Sequence, residues 1–169
     1  MSSPSKRRAA VATARLLSLA LAAALAAGCA GGGRLSKDEY VAKLRALESS
    51  GLAREATRIY DRMAGLALPQ GECIDNARTF HADLQTIVDE VHGLSPPAEV
   101  QRIQDDFVSA GQDTVDVIGR IVRDIEAGTL KCGQAFNRRA YGLPSTDRAQ
   151  QALRELGRHG YHIGLNSGD

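Results

Sequence analysis

From residue 36 onward apolar side chains recur at steps of three and four, the period of helices that each bury one face. Tyr40, Leu44 and Leu47 open the series, and Leu52, Ala56, Ile59 and Met63 continue it. Just before them, Ser36-Lys37-Asp38-Glu39 reads as a capping box, with the Ser hydroxyl taking a backbone N–H and Glu39 reaching back. The pattern predicts one long helix over about residues 36–67, with Ser49-Ser50-Gly51 as the place for a kink or break. Leu68-Pro69-Gln70-Gly71 ends it. A second stripe (Cys73, Ala77, Phe80, Leu84, Ile87 with Val88, Val91) predicts a helix over about 72–93.

Gly93-Leu94-Ser95-Pro96-Pro97 stops that helix, and Ser95 with Pro96 is expected to cap and open the next. Its stripe runs through Val100, Ile103, Phe107, Ala110, Thr114, Val117 with Ile118, Ile121 and Ile125, then stops at Gly128-Thr129. The short connection makes the two helices an antiparallel hairpin. A shorter helix is expected over 131–141 with Ala135, Phe136 and Ala140 inward, broken by Gly142-Leu143-Pro144. Another starts between Ser145 and Arg148 and turns Ala149, Leu153 and Leu156 inward, and the tail after Gly160 is expected to be loose. No stretch alternates with period two. The expected fold is therefore all-α, an antiparallel helical bundle with a central helical hairpin and shorter C-terminal helices, spanning 36–162 with a flexible tail at 163–169.

The first 28 residues follow a different pattern. A basic start (Lys6, Arg7, Arg8, then Arg15) precedes an apolar stretch from Leu16 to Ala27, too short to cross a bilayer but suited to the core of a secretory signal. Leu25-Ala26-Ala27-Gly28-Cys29 resembles a bacterial lipobox, which implies cleavage between Gly28 and Cys29 and a diacylglycerol thioether on Cys29. The competing reading is an ordinary signal peptide cut after Ala26, with Cys29 an incidental thiol. Arg7-Arg8 is followed by Ala9-Ala10, which does not suit twin-arginine export, so general secretion is expected. Two acyl chains hold a protein stably at a membrane where one holds it marginally, each buried methylene contributing about 0.8 kcal/mol. Residues 29–35, with Ala30-Gly31-Gly32-Gly33, would form a flexible tether to the domain. The expected location is the outer face of the cell membrane, with the covalent lipid on Cys29 as the one attached group and no cofactor or metal.

Cleavage changes the charge. Four of the 21 basic residues and none of the 20 acids precede Cys29, so the net charge would move from +1 to −3. Such a chain has no positive field to recruit phosphates, and a nucleic-acid partner is excluded. The remaining 141 residues suit one domain with a real core. From Glu72 to Glu126 twelve acids face four arginines, whereas from Lys131 to Arg158 six basic residues face two acids. The basic C-terminal helices are expected to dock on the acidic hairpin, with local pairs Asp116–Arg120 and Arg120–Asp124. A basic partner for the hairpin, or anionic lipid for the basic helices, is the sharper alternative. Arg54, Arg58 and Arg62 form a stripe that reads as a solvated face.

With Cys29 acylated, Cys73 and Cys132 are the only two thiols, and exported pairs generally oxidise. If the hairpin turns near residue 95, the third helix overshoots the start of the second by several turns. The chain must then double back after Gly128, through the short helix, for Cys132 to meet Cys73. Closing a loop of about 60 residues is worth roughly 4 kcal/mol by chain entropy. A structural staple is favoured over a redox-active pair because no C-x-x-C spacing exists.

Catalytic signals are weak. His159-x-x-His162 has a usable metal spacing but sits by Gly160, and His81 and His92 lie three turns apart on one helix. Asp89-Glu90 and Asp105-Asp106 are adjacent, so each pair diverges. No nucleophile elbow, zinc-protease motif, P-loop or dinucleotide fingerprint occurs, and with no Trp a sugar-stacking platform is not expected. The chain is read as a non-enzyme.

Leu35-Ser36-Lys37-Asp38-Glu39-Tyr40 after the lipobox Cys, Ser95-Pro96-Pro97-Ala98-Glu99 opening a helix, and Arg139-Ala140-Tyr141-Gly142-Leu143 near the end carry a resemblance. Together they resemble a group of small all-helical lipoproteins of high-GC Gram-positive bacteria, over most of the mature chain. The resemblance implies location and fold, and brings no functional residues. In that group a Cys often follows the Tyr-Gly-Leu, paired with one in the first helix; here Pro144-Ser145-Thr146 follows, and the staple falls to Cys73–Cys132.

Two functions fit. The favoured one is a membrane-anchored interaction or scaffold domain with an extracellular protein partner, working through a polar face. The alternative is a small-ligand or lipid-binding lipoprotein with an apolar cavity between helices, where Gly111 and Gly119 thin the third helix. Such thin faces more often let helices approach closely. A closed core would fit the scaffold, and an apolar cavity of several hundred Å³ the carrier, within the general size range of ligand sites of roughly 300–1,000 Å³.

Overall fold

The computed structural model describes residues 33–163, so the signal segment, Gly28 and Cys29, most of the tether and residues 164–169 lie outside the described residues. Helices α1 (Lys37–Ser49), α2 (Leu52–Gly65), α3 (Gln70–His92), α4 (Gln101–Glu126), α5 (Gln134–Ala140) and α6 (Pro144–Arg158) follow one another, with a 3-10 turn at Ala98–Val100. The described residues contain no strand, and the chain is an all-α helical bundle. From Arg34 on it forms one compact unit.

The capping box forms: Ser36 N–H donates to Glu39 Oε2 at 2.9 Å while the Ser36 hydroxyl accepts the Glu39 N–H. The single long helix does not. Gly51 has φ +87°, a left-handed conformation that favours glycine, and it divides α1 from α2. Ser50 supports the break, its hydroxyl donating to the Leu47 carbonyl and accepting from the Leu52 N–H. Met63 and Ile59 thereby sit on α2, which packs along α3.

α3 and α4 form the central antiparallel pair, and α6 packs along α4. The connection differs from expectation. Pro96 stands before Pro97, and a residue before proline is pushed out of the helical region, so Ser95-Pro96 cannot open α4. Pro97 is extended instead (φ −53°, ψ 148°) and α4 begins only after the 3-10 turn. These non-α residues take up length, and the overshoot is corrected: α4 ends level with the start of α3. Gln70 Nε2 donates to the Ile125 carbonyl, and Arg78 pairs with Glu126 at 2.7 Å. The reversal is made by a tight turn rather than by the short helix. Gly128 (φ +72°) and Gly133 (φ +94°) turn the chain, and Gly133 N–H donates to the Met63 carbonyl at 2.6 Å. Cys132 lies inside that turn, bonded to Cys73 with Cα atoms 5.8 Å apart. α5 starts beyond it, shorter than the 131–141 expected.

Two cores result. One surrounds the disulfide with Met63, Phe80, Ile121, Ile125 and Phe136. The other, beside the α3–α4 connection, gathers Tyr40, Leu44, Val91, Val100, Leu156 and Tyr161. Between them Gly111 lies against Val88 so closely that a Cβ there would stand 2.7 Å from Val88 Cγ2. Close helix approach therefore explains Gly111. On α6 the fully buried face is Ser145, Ala152 and Leu156, with Ala149 and Leu153 half-buried.

The tail expectation is corrected at its start. Tyr161 and Ile163 are 1% and 3% exposed and belong to the second core, so the chain is not loose directly after Gly160 and residue 163 is not part of a flexible tail. Lys37 donates to the His159 carbonyl at 3.2 Å and Arg45 to the His162 carbonyl at 2.9 Å. The charge asymmetry is partly internal, as Arg139 pairs with Asp124 at 2.9 Å and Arg148 with Asp113. The expected local pairs do not form: Asp116 accepts from Gln112 instead, and Asp124 from Arg139.

Candidate functional site

A groove of about 520 Å³ opens where five elements meet. α2 supplies Tyr60, whose hydroxyl donates to Asn137 Oδ1 at 2.9 Å and whose ring lies 5.9 Å from Phe80 and 5.7 Å from Phe136. Burial, then the nearby Tyr141 and Asp61, push the Tyr60 hydroxyl above the usual tyrosine range, so it stays neutral as a donor. α3 contributes Phe80 and Leu84, while α4 contributes Thr114 and Ile118. After Ala140 the chain leaves α5 through Tyr141, and Gly142 (φ +67°) turns it into Leu143. Pro144 starts α6 at a position where its missing N–H costs nothing. Thr146, Asp147 and Gln150 complete the wall from α6.

The groove is therefore aromatic and aliphatic on the α2–α5 side and polar along α6. Thr114 and Ser145 hydrogen-bond through their hydroxyls at 2.8 Å, which ties α6 to α4 at its edge. Tyr141 is 77% exposed, a large apolar ring left in water at the mouth. Asp147 is the only charged side chain among the lining residues. Such a surface can bind and orient a guest. Tyr60 and Tyr141 are the other titratable side chains in the wall.

Other residues raised by the sequence do not converge here. Cys73 and Cys132 are joined within the first core and do not line the groove, while Cys29 lies outside the described residues. His81 packs against the thin face at Gly119, its Nε2 3.1 Å from where a Cβ would stand. His159 and His162 are exposed and serve through their carbonyls. Asp105 accepts from Gln101 and Asp106 pairs with Arg102, so the adjacent carboxylates diverge. Among the described residues no group of three or more His, Cys, Asp or Glu side chains gathers as for a metal ion. Arg58 pairs with Glu55 and Arg62 with Glu72, while Arg54 lines, with Arg45, Glu48 and Thr57, a more open groove of equal volume, about 520 Å³, at the α1–α2 break.

Two buried polar atoms have no partner in the described structure. Gln104 Nε2 donates to the Leu94 carbonyl, but its Oε1 has no partner; Gln104 lines a space of about 40 Å³ together with Leu44, Val91 and Phe107. One oxygen of Asp83, between α2 and α3, is likewise unpartnered; burial, then Glu55, raise this carboxyl above its usual range. Comparison with protein-family models, with curated proteins and with solved structures finds no match.

Proposed function

We propose that this chain is a non-catalytic binding protein, held by a lipid on Cys29 at the outer face of the membrane, whose groove takes a small, largely apolar ligand. The observation that carries the reading is the groove itself. Its volume of about 520 Å³ lies within the range of ligand sites, roughly 300–1,000 Å³. Its apolar floor rests on a packed bundle, so it needs no opening of the core. This reverses the order of the two functions suggested by the sequence, where the scaffold came first. The anchor rests on the lipobox alone.

The interaction-domain reading keeps one specific support, the exposed Tyr141 ring at the groove mouth, because tyrosine is a frequent anchor of protein interfaces. The test uses the full chain reconstituted in phosphatidylcholine nanodiscs, titrated calorimetrically with 1-hexanol against empty nanodiscs. Saturable millimolar binding, lost when the rim is filled by Gln150→Trp, supports the ligand reading; a Kd of 1 mM corresponds to about −4 kcal/mol. No saturable heat in the unsubstituted protein overturns it and leaves the interaction domain. Intact mass of detergent-extracted protein tests the anchor: a chain beginning at Cys29 and heavier by a diacylglycerol supports it, and an unmodified Cys29 removes it.

A further inference from the structure

The groove's single charge allows its ligand class to be narrowed, an inference that rests on the groove being a binding site. Asp147 carries the only ionised side chain in the wall, and its carboxylate has no hydrogen-bond or ion-pair partner among the described residues. The arginines close to it in sequence are engaged elsewhere: Arg148 pairs with Asp113 and Arg139 with Asp124. Tyr60, Phe80 and Tyr141 line the same groove and offer an apolar body a surface, and the exposed Tyr141 ring is of a kind that also attracts a cation. Asp61, next to Tyr60, is a further exposed carboxylate on α2. We propose that the groove selects a small organic cation, an ammonium group on an apolar body, with the ammonium at Asp147 and the body against Tyr60, Phe80 and Leu84.

Asp147 also stands in the first turn of α6, where a carboxylate favours the helix end without any ligand. The two roles make different predictions. The full chain in phosphatidylcholine nanodiscs is titrated with hexyltrimethylammonium, 1-hexanol and hexanoate, three probes that share one alkyl body. The cation is expected to bind about tenfold more tightly than the alcohol, hexanoate more weakly than either, and the preference to shrink as salt is raised. Asp147→Asn should reduce the cation's affinity to within about threefold of the alcohol's affinity for the same variant. Tyr141→Ala, at an exposed position, should weaken the cation more than the alcohol. Equal affinity for cation and alcohol, or an Asp147→Asn protein that still prefers the cation tenfold, overturns the inference and leaves the groove a neutral apolar site. If none of the three probes binds, the groove reading falls and this inference falls with it.

Discussion

The two ends of the bundle each bury an apolar cluster, the larger around the disulfide, and are closed by opposite means. At one end Phe136, Met63 and Ile125 pack around a covalent bond, Cys73–Cys132, and the chain reverses through two left-handed glycines. At the other, Tyr40, Val100, Leu156 and Tyr161 are held by long polar side chains that reach across to backbone carbonyls. Arg34 donates to the Pro96 carbonyl at 3.1 Å, Lys37 and Arg45 to those of His159 and His162, and Tyr161 to the Glu99 carboxylate. That end also contains the unpartnered Gln104 Oε1 and its small space. A disulfide acts mainly on the unfolded chain and is indifferent to pH across the neutral range, whereas hydrogen bonds to exposed cations and carboxylates weaken with salt and titration. One molecule thus has a redox-dependent end and a solvent-dependent end, with the groove lined by Tyr60, Phe80 and Leu143 beside the first.

The strongest way to break this contrast is to open the disulfide. The bond closes a loop with a sequence separation of 59, and the paired substitution Cys73→Ser with Cys132→Ser should cost up to about 4 kcal/mol of unfolding free energy, read as a fall in the urea midpoint. Amide exchange should rise first in α5 and the Gly128–Gly133 turn while α1 and α6 stay protected near Tyr40 and Leu156. Uniform loosening of both ends would show that the bundle responds as one body and that the two cores are not separable.

A smaller effect is expected at the waist that couples the ends. Gly111→Ala would place a methyl group 2.7 Å from Val88 Cγ2. Glycine in a helix interior is disfavoured by about 1 kcal/mol relative to alanine, so intrinsic propensity alone predicts stabilisation. Overpacking predicts the reverse, a net loss of roughly 1–3 kcal/mol. The double variant with Val88→Ala decides between them, because it should recover much of the loss if the clash is the cause. Stabilisation by Gly111→Ala alone would mean that the helices slide apart at little cost and that each end holds itself.

The sequence made much of this legible, and unevenly. Helical periodicity placed α3 and the long run of α4, because a 3.6-residue stripe survives whatever the helix packs against. The capping box was readable from local spacing, and the Cys73–Cys132 pairing by elimination once Cys29 is acylated. Ser95-Pro96 has the local form of a helix start, but the constraint falls on the residue before a proline, and Pro96 itself precedes one. The groove was invisible. Its wall comes from five elements, none of which shows an anomaly by itself, and only Tyr141-Gly142-Leu143 stood out, as a helix breaker and a family-like motif. Tyr161 and Ile163 were missed because two apolar residues after Gly160 make no period at all.

The smallest expected effect tests the solvent-dependent end. Tyr161 lies edge-on to Tyr40 with ring centroids 5.9 Å apart, and burial followed by the Glu99 hydrogen bond pushes its hydroxyl up to about 12. Burial pushes Tyr40 to about 12 as well. Since a tyrosine loses its charge-neutral form on deprotonation, a raised value means that the folded protein holds the proton after the unfolded chain has released it. The associated stability is complete below the ordinary tyrosine value of about 10 and is lost as pH climbs towards 12. Alkaline unfolding should therefore begin at this end, seen as early amide exchange in α1 and at Tyr161, while the disulfide core holds. Tyr161→Phe keeps the ring and should cost no more than about 1 kcal/mol at neutral pH, while flattening the alkaline fall by removing one of its two titrating groups. Chiefly through that same hydrogen bond, Glu99 sits below the usual carboxylate range, so its carboxyl should return upward in the variant, measurable by NMR titration of the side chain. If the Glu99 titration does not move, Tyr161 is buried by packing alone, and the polar closure of this end rests on Arg34, Lys37 and Arg45.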